Sequence, residues 1–180
     1  MELHSVETIV KALNDAGVEY IIVGGVAVNA HGFVRMTRDL DLVLRLERQN
    51  ILNGLNALFE VGYRMAIPAS VEEFSDPEIR QRWREEKNMI VLKLWSDIHR
   101  RTPIDIFVYE PFDFIGESQR LLRMDLSPGI SAPIVSLKTL LDMNRRLAAH
   151  RIKSISKNYC APDEHRSPNH PRLEMVYRRG

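Results

Sequence analysis

The stretch Tyr20-Ile21-Ile22-Val23-Gly24-Gly25-Val26-Ala27-Val28-Asn29-Ala30-His31-Gly32-Phe33-Val34-Arg35-Met36-Thr37-Arg38-Asp39-Leu40-Asp41-Leu42-Val43-Leu44 decides how the rest of the chain is read. Its first four residues form an apolar run suited to a buried strand. Gly24-Gly25 then breaks the run, so that the chain can turn sharply and offer bare backbone N–H groups to an anion. Val26 to Ala30 suits a short helix whose positive end faces the same place. From Asp39 to Leu44 the sequence alternates charge with bulk, which on a strand puts both carboxylates on one face and the leucines on the other. Two like charges so close repel each other unless a cation lies between them, and a divalent metal is the usual cation.

The flanking sequence supplies helices and further strands. Ser5 is a candidate cap for a helix running to about Ala16, with Val6, Ile9, Val10 and Leu13 on one face and Gly17 as its stop. Arg48 to Glu60 carries Ile51, Leu52, Leu55, Leu58 and Phe59 at helical spacing, and a strand over Tyr63 to Ile67 follows. Pro68 to Lys87 is polar and reads as a loop with a helical turn. Strands are expected over Met89 to Trp95 and Ile104 to Val108, and another over Leu121 to Met124. Pro128-Gly129 marks a turn, and Val135 to about Arg146 a helix. Asp105 stands between Ile104 and Ile106, a charge where packing alone would place none. Arg100 and Arg101 are the cations considered as its partners. This order of elements implies an α/β (α+β) domain with a mixed β-sheet flanked by helices.

At 180 residues the chain suits one well-packed domain. We place it over 1–157, its helical C-terminal part beginning at about 135, and read 158–180 as a disordered basic tail with little to bury. From Arg145 to Gly180 nine Lys/Arg stand against three Asp/Glu, leaving sixteen against twenty-one in the remainder, so the body is mildly acidic. The one cysteine, Cys160, excludes an intrachain disulfide. No run approaches the ~18 apolar residues of a membrane span, and the first residues lack a secretory pattern. No membrane association and a cytoplasmic location are therefore expected.

On Gly24-Gly25, Asp39, Asp41 and Asp105 the chain resembles the DNA polymerase β-like nucleotidyltransferase superfamily, whose signature is a Gly-Gly or Gly-Ser turn, an Asp-x-Asp strand and a later single Asp. The fuller string, Gly24-Gly25-x-Ala27 with His31-Gly32-x-x-Arg35-x-Thr37-x-Asp39-x-Asp41-Leu42, is most similar to minimal AbiEii-type nucleotidyltransferases of bacterial toxin–antitoxin systems. It is also similar to lincosamide-type and aminoglycoside-type antibiotic nucleotidyltransferases. The resemblance implies the polymerase β-like palm fold and transfer of a nucleoside monophosphate from an NTP such as ATP to a hydroxyl. In that scheme Asp39, Asp41 and Asp105 bind Mg²⁺ in a two-metal site, and Asp105 also helps deprotonate the acceptor. Gly24 and Gly25 hold phosphate oxygens through their backbone, with Arg35 and Lys138 as further phosphate contacts. RNA or protein is the implied acceptor and a cognate antitoxin an implied partner. The alternatives are a small antibiotic as acceptor, or a non-catalytic nucleotide-binding or interaction protein of the same fold. Two departures stand out. Many relatives carry serine after the first glycine, where this chain has Gly25, and the helical segment expected after Lys138 gives way to a polar tail.

Overall fold

In a computed structural model that describes residues 1–146, the chain runs α1 (Leu3–Asp15), β1 (Tyr20–Val23), α2 (Gly24–Ala30), β2 (Leu40–Leu44), α3 (Arg48–Glu60) and β3 (Tyr63–Met65). It continues through α4 (Val71–Ser75), α5 (Pro77–Glu86), β4 (Val91–Ser96), β5 (Ile104–Phe107), α6 (Phe114–Ser118), β6 (Leu122–Ser127) and β7 (Ile130–Ile134). A last helix, α7, is described over 137–146. Met1–Arg145 forms one compact unit. The boundary expected at 157, the tail over 158–180 and Cys160 lie outside the described residues.

The strands join in one mixed sheet in the order β3-β4-β5-β2-β1-β7-β6. β2 pairs antiparallel with β1 and parallel with β5. β4 lies antiparallel to β5, and β7 parallel to β1. Leu40, Leu42 and Leu44 are fully buried, and a β-carbon on Gly54 of α3 would stand 3.4 Å from Leu44 Cδ1, so α3 packs on the leucine face. α1 buries Val6, Ile9, Val10 and Leu13, each contributing about 1.5–3 kcal/mol by removing apolar surface from water. Asp41 is thereby forced onto the face of β2 opposite the leucines. Among the described residues no helix is long and apolar enough to cross a membrane.

Several expectations are corrected. α1 begins at Leu3, with Glu2 at its N-cap position. Ser5 is instead buried, its hydroxyl 3.0 Å from Nδ1 of His99. Pro68 to Lys87 holds two helices: Ser70 and Glu73 form a capping box on α4, while Asp76 caps α5 ahead of Pro77. α2 begins at Gly24, two residues before the expected start, so the glycine pair forms its first turn. β7 and α6 were not foreseen. Each is five residues long, too short to show a period, and β7 also contains Pro133.

Candidate active site

Strand register sets one row of residues across the sheet. Val23 of β1 faces Asp41 of β2, Asp41 faces Asp105 of β5, and Asp105 faces Lys93 of β4. Residues in register on neighbouring strands share a face, so the two carboxylates and the ammonium converge. Asp39 lies one residue before β2, not within it as expected, and is close enough for its charge to act on both Asp41 and Lys93.

The glycine pair closes one end of this row. Gly24 has φ +62°, and a β-carbon there would fall 2.0 Å from Oδ2 of Asp41. A β-carbon on Gly25 would fall 2.3 Å from Oγ1 of Thr37. Both positions therefore exclude side chains. The N–H of Gly25 donates to the Asp41 carboxylate, so the backbone donor foreseen for an anion is turned toward the site's own acid.

Burial pushes the Asp41 carboxyl up to about 6, and the negative charges of Asp105 and Asp39 act in the same direction. The Gly25 N–H and the Lys93 ammonium only partly offset this. Lys93 Nζ donates to both oxygens of Asp105, at 2.9 and 2.8 Å, and that bond raises the lysine's own pKa. Sequence reasoning missed Lys93. It considered Arg100 and Arg101 for Asp105, but these pair with Asp97 and Glu2. The alternation of Val91-Leu92-Lys93-Leu94-Trp95 did mark a one-faced strand, though nothing in it fixed the register that brings Lys93 opposite Asp105.

The remaining expected residues lie around the row without joining it. Arg35 is exposed on the connection between α2 and β2, its backbone N–H donating to Asn29 Oδ1 at 2.8 Å. Phe33, Val34 and Met36 beside it are 63%, 95% and 99% exposed. Lys138, in the first turn of α7, lies 3.4 Å from Asp142 one turn on. His31 ends α2, with Nε2 2.8 Å from the carbonyl oxygen of Val135, as a packing histidine would. Glu117 of α6 was not foreseen. It is buried, and accepts from Ser136 N at 2.6 Å and Thr139 Oγ1 at 2.7 Å at the start of α7.

Among the described residues no three His, Cys, Asp or Glu side chains form a ready-made metal cage. Mg²⁺, however, is ordinarily held by one or two carboxylates together with substrate phosphates and water. Asp41 and Asp105 in register, with Asp39 beside them, make a donor set of that kind. Burial is the main cause of the raised Asp41 pKa, and the negative charges of Asp105 and Asp39, which add to it, are what a cation would relieve. The residues fit an ion that arrives with a triphosphate, provided that Lys93 yields Asp105.

The chain matches no family model and no curated protein. Among solved structures it is similar to a crystal structure of a candidate nucleotidyltransferase from Thermotoga maritima. The TM-score is 0.58 at 13% identity, over 87% of this chain and 91% of that one. At that identity the likeness is one of fold: a mixed sheet flanked by helices, in the nucleotidyltransferase arrangement expected from the sequence.

Proposed function

We propose that the protein is a Mg²⁺-dependent nucleotidyltransferase that moves a nucleoside monophosphate from an NTP such as ATP to a hydroxyl of RNA or protein, releasing pyrophosphate. The observation that carries this reading is the register of Asp41 and Asp105 on adjoining strands beside Gly24. When bound, Mg²⁺ would neutralise phosphate oxygens as the acceptor oxygen bonds to the α-phosphorus and the bond to pyrophosphate breaks. Asp39, Asp41 and Asp105 would hold it. Asp105, farther along the row from the glycines than Asp41, would also take up the acceptor's proton. The backbone of Gly24 would hold phosphate oxygens, joined by that of Gly25 once an ion takes Asp41 from its N–H, with Arg35 and Lys138 adding charge.

A macromolecular acceptor is favoured by the exposed Phe33, Val34 and Met36, which surround Arg35 on the connection leading to Asp39. A toxin-like role in the cytoplasm with a cognate antitoxin follows from the sequence resemblance. One observation favours the non-catalytic reading: Lys93 already occupies both oxygens of Asp105. Radiolabelled NTP with Mg²⁺ and RNA, protein or antibiotic acceptors, comparing wild type with Asp39→Ala and Asp41→Ala, separates the readings. Transfer that both substitutions abolish supports the enzyme. Neither transfer nor metal-dependent NTP binding with any acceptor would refute it.

A further inference from the structure

Lys93 and Asp105 form an uneven pair. The Asp105 side chain is buried, whereas that of Lys93 is 60% exposed. Separating them returns the ammonium to water at little cost, because exposed ion pairs contribute little. The carboxylate left behind has no such escape, since a buried charge without a partner is strongly unfavourable. Asp105 can therefore exchange cations but cannot readily go without one. The same geometry sets up a competition: Nζ lies within 2.9 Å of both oxygens, the same atoms that Asp105 would offer to a metal. Asp41 stands in register on the other side of Asp105, so Asp105 is the acid that an ion and the lysine would share, and an ion drawing on its oxygens competes with the ammonium.

We propose that Lys93 is a resident counter-cation of Asp105, displaced by the divalent ion, and that this competition makes metal binding depend on nucleotide. The proposal rests on the nucleotidyltransferase reading for the identity of the ion. Metal alone must displace the ammonium and gains only carboxylate oxygens in return. Metal arriving with a triphosphate brings further oxygen ligands, and the displaced ammonium gains phosphate oxygens as new acceptors. Lys93 thus acts as a positioning residue that holds the Asp105 carboxylate until nucleotide arrives.

The test is Mn²⁺ binding to the full chain without nucleotide, read from the EPR signal of the free ion. Lys93→Met is expected to tighten Mn²⁺ binding about fivefold, and Lys93→Gln to do the same in smaller measure. Lys93→Arg should leave binding as weak as in wild type. In an Asp105→Asn background, Lys93→Met should make no difference. Thermal unfolding of each variant confirms that the fold is kept, and Lys93→Gln serves if Lys93→Met does not fold. Mn²⁺ binding that is unchanged or weaker in folded Lys93→Met and Lys93→Gln overturns the proposal and leaves the enzyme reading standing. If neither wild type nor these variants bind Mn²⁺, with or without a non-hydrolysable triphosphate, both readings fall.

Discussion

Gly24 and Asp41 are fitted to each other: a β-carbon on the glycine would lie 2.0 Å from Oδ2 of the acid. Any L-residue at that φ also bears a left-handed backbone penalty of roughly 1–2 kcal/mol. Gly24→Ala should therefore destabilise the protein by at least about 2 kcal/mol in urea denaturation and shift the Asp41 carboxylate. Gly25 has no positive φ, and the three atoms nearest to a β-carbon there all belong to Thr37, so Thr37→Gly should recover part of the loss caused by Gly25→Ala. Stability within about 0.5 kcal/mol of wild type for Gly24→Ala would contradict the fit described.

The Asp41 carboxyl titrates at about 6 in the folded protein, against about 4 in an unfolded chain. Because the folded state holds this proton more tightly, the group's contribution to stability is present below about pH 4. It is lost as pH rises toward 6 and stays lost above that. Asp41→Asn should thus stabilise the metal-free protein at pH 7 by about 1–3 kcal/mol while abolishing transfer. In wild type, Mn²⁺ binding should weaken as pH falls through 6, since protons compete for the same acid. Urea titrations at pH 4 and 7 check the first claim. A variant less stable than wild type at pH 7 would sink it.

Glu117 behaves in the opposite way. Burial works to raise its carboxyl pKa, but hydrogen bonds from Thr139 and Ser136, with the charge of Arg120, outweigh burial and hold it below the usual range. Its stabilising effect is therefore present above the unfolded pKa and lost as pH falls through the folded one. Glu117→Ala is expected to cost about 1–3 kcal/mol at neutral pH by leaving the start of α7 without its acceptor, and less in acid. Equal losses at pH 7 and pH 3 would refute the assignment.

Arg35 and Lys138, both proposed to contact phosphate, should differ in weight. Lys138 is in contact with Asp142 on its own helix, whereas Arg35 projects from the connection leading to Asp39. Arg35→Ala should weaken NTP binding roughly tenfold, in a salt-dependent way, and Lys138→Ala no more than about twofold. Fluorescent-nucleotide titrations at low and high salt measure both. A larger effect at Lys138 would reverse the assignment.

The parts of the candidate site that could be read in the sequence are those whose logic is local. Gly24-Gly25 and the alternation from Leu40 to Leu44 are read from neighbouring residues, and the structure puts Gly24 against Asp41. Asp105 stood out because a charge interrupts an apolar strand. Lys93 did not, because its role depends on which residue of β5 it faces, and register across strands is not written in either strand alone. Glu117 was hidden for the same reason: its partners, Ser136 and Thr139, lie beyond a hairpin. The helices α4 and α5 were legible in their caps, Ser70 with Glu73 and Asp76 with Pro77, but the polar composition of the segment obscured them.

The antiparallel pairing of β4 with β5 bears on how the protein assembles. The two strands are consecutive in sequence and can meet as a local hairpin, whereas β5 reaches β2 only through a distant parallel contact. Local contacts form before distant ones, so Asp105 is expected to dock beside Asp41 already bound to Lys93. The folding chain would then never have to bring two bare carboxylates together. The charge conflict between the two acids is muffled in transit, and the finished fold keeps the same cover in place.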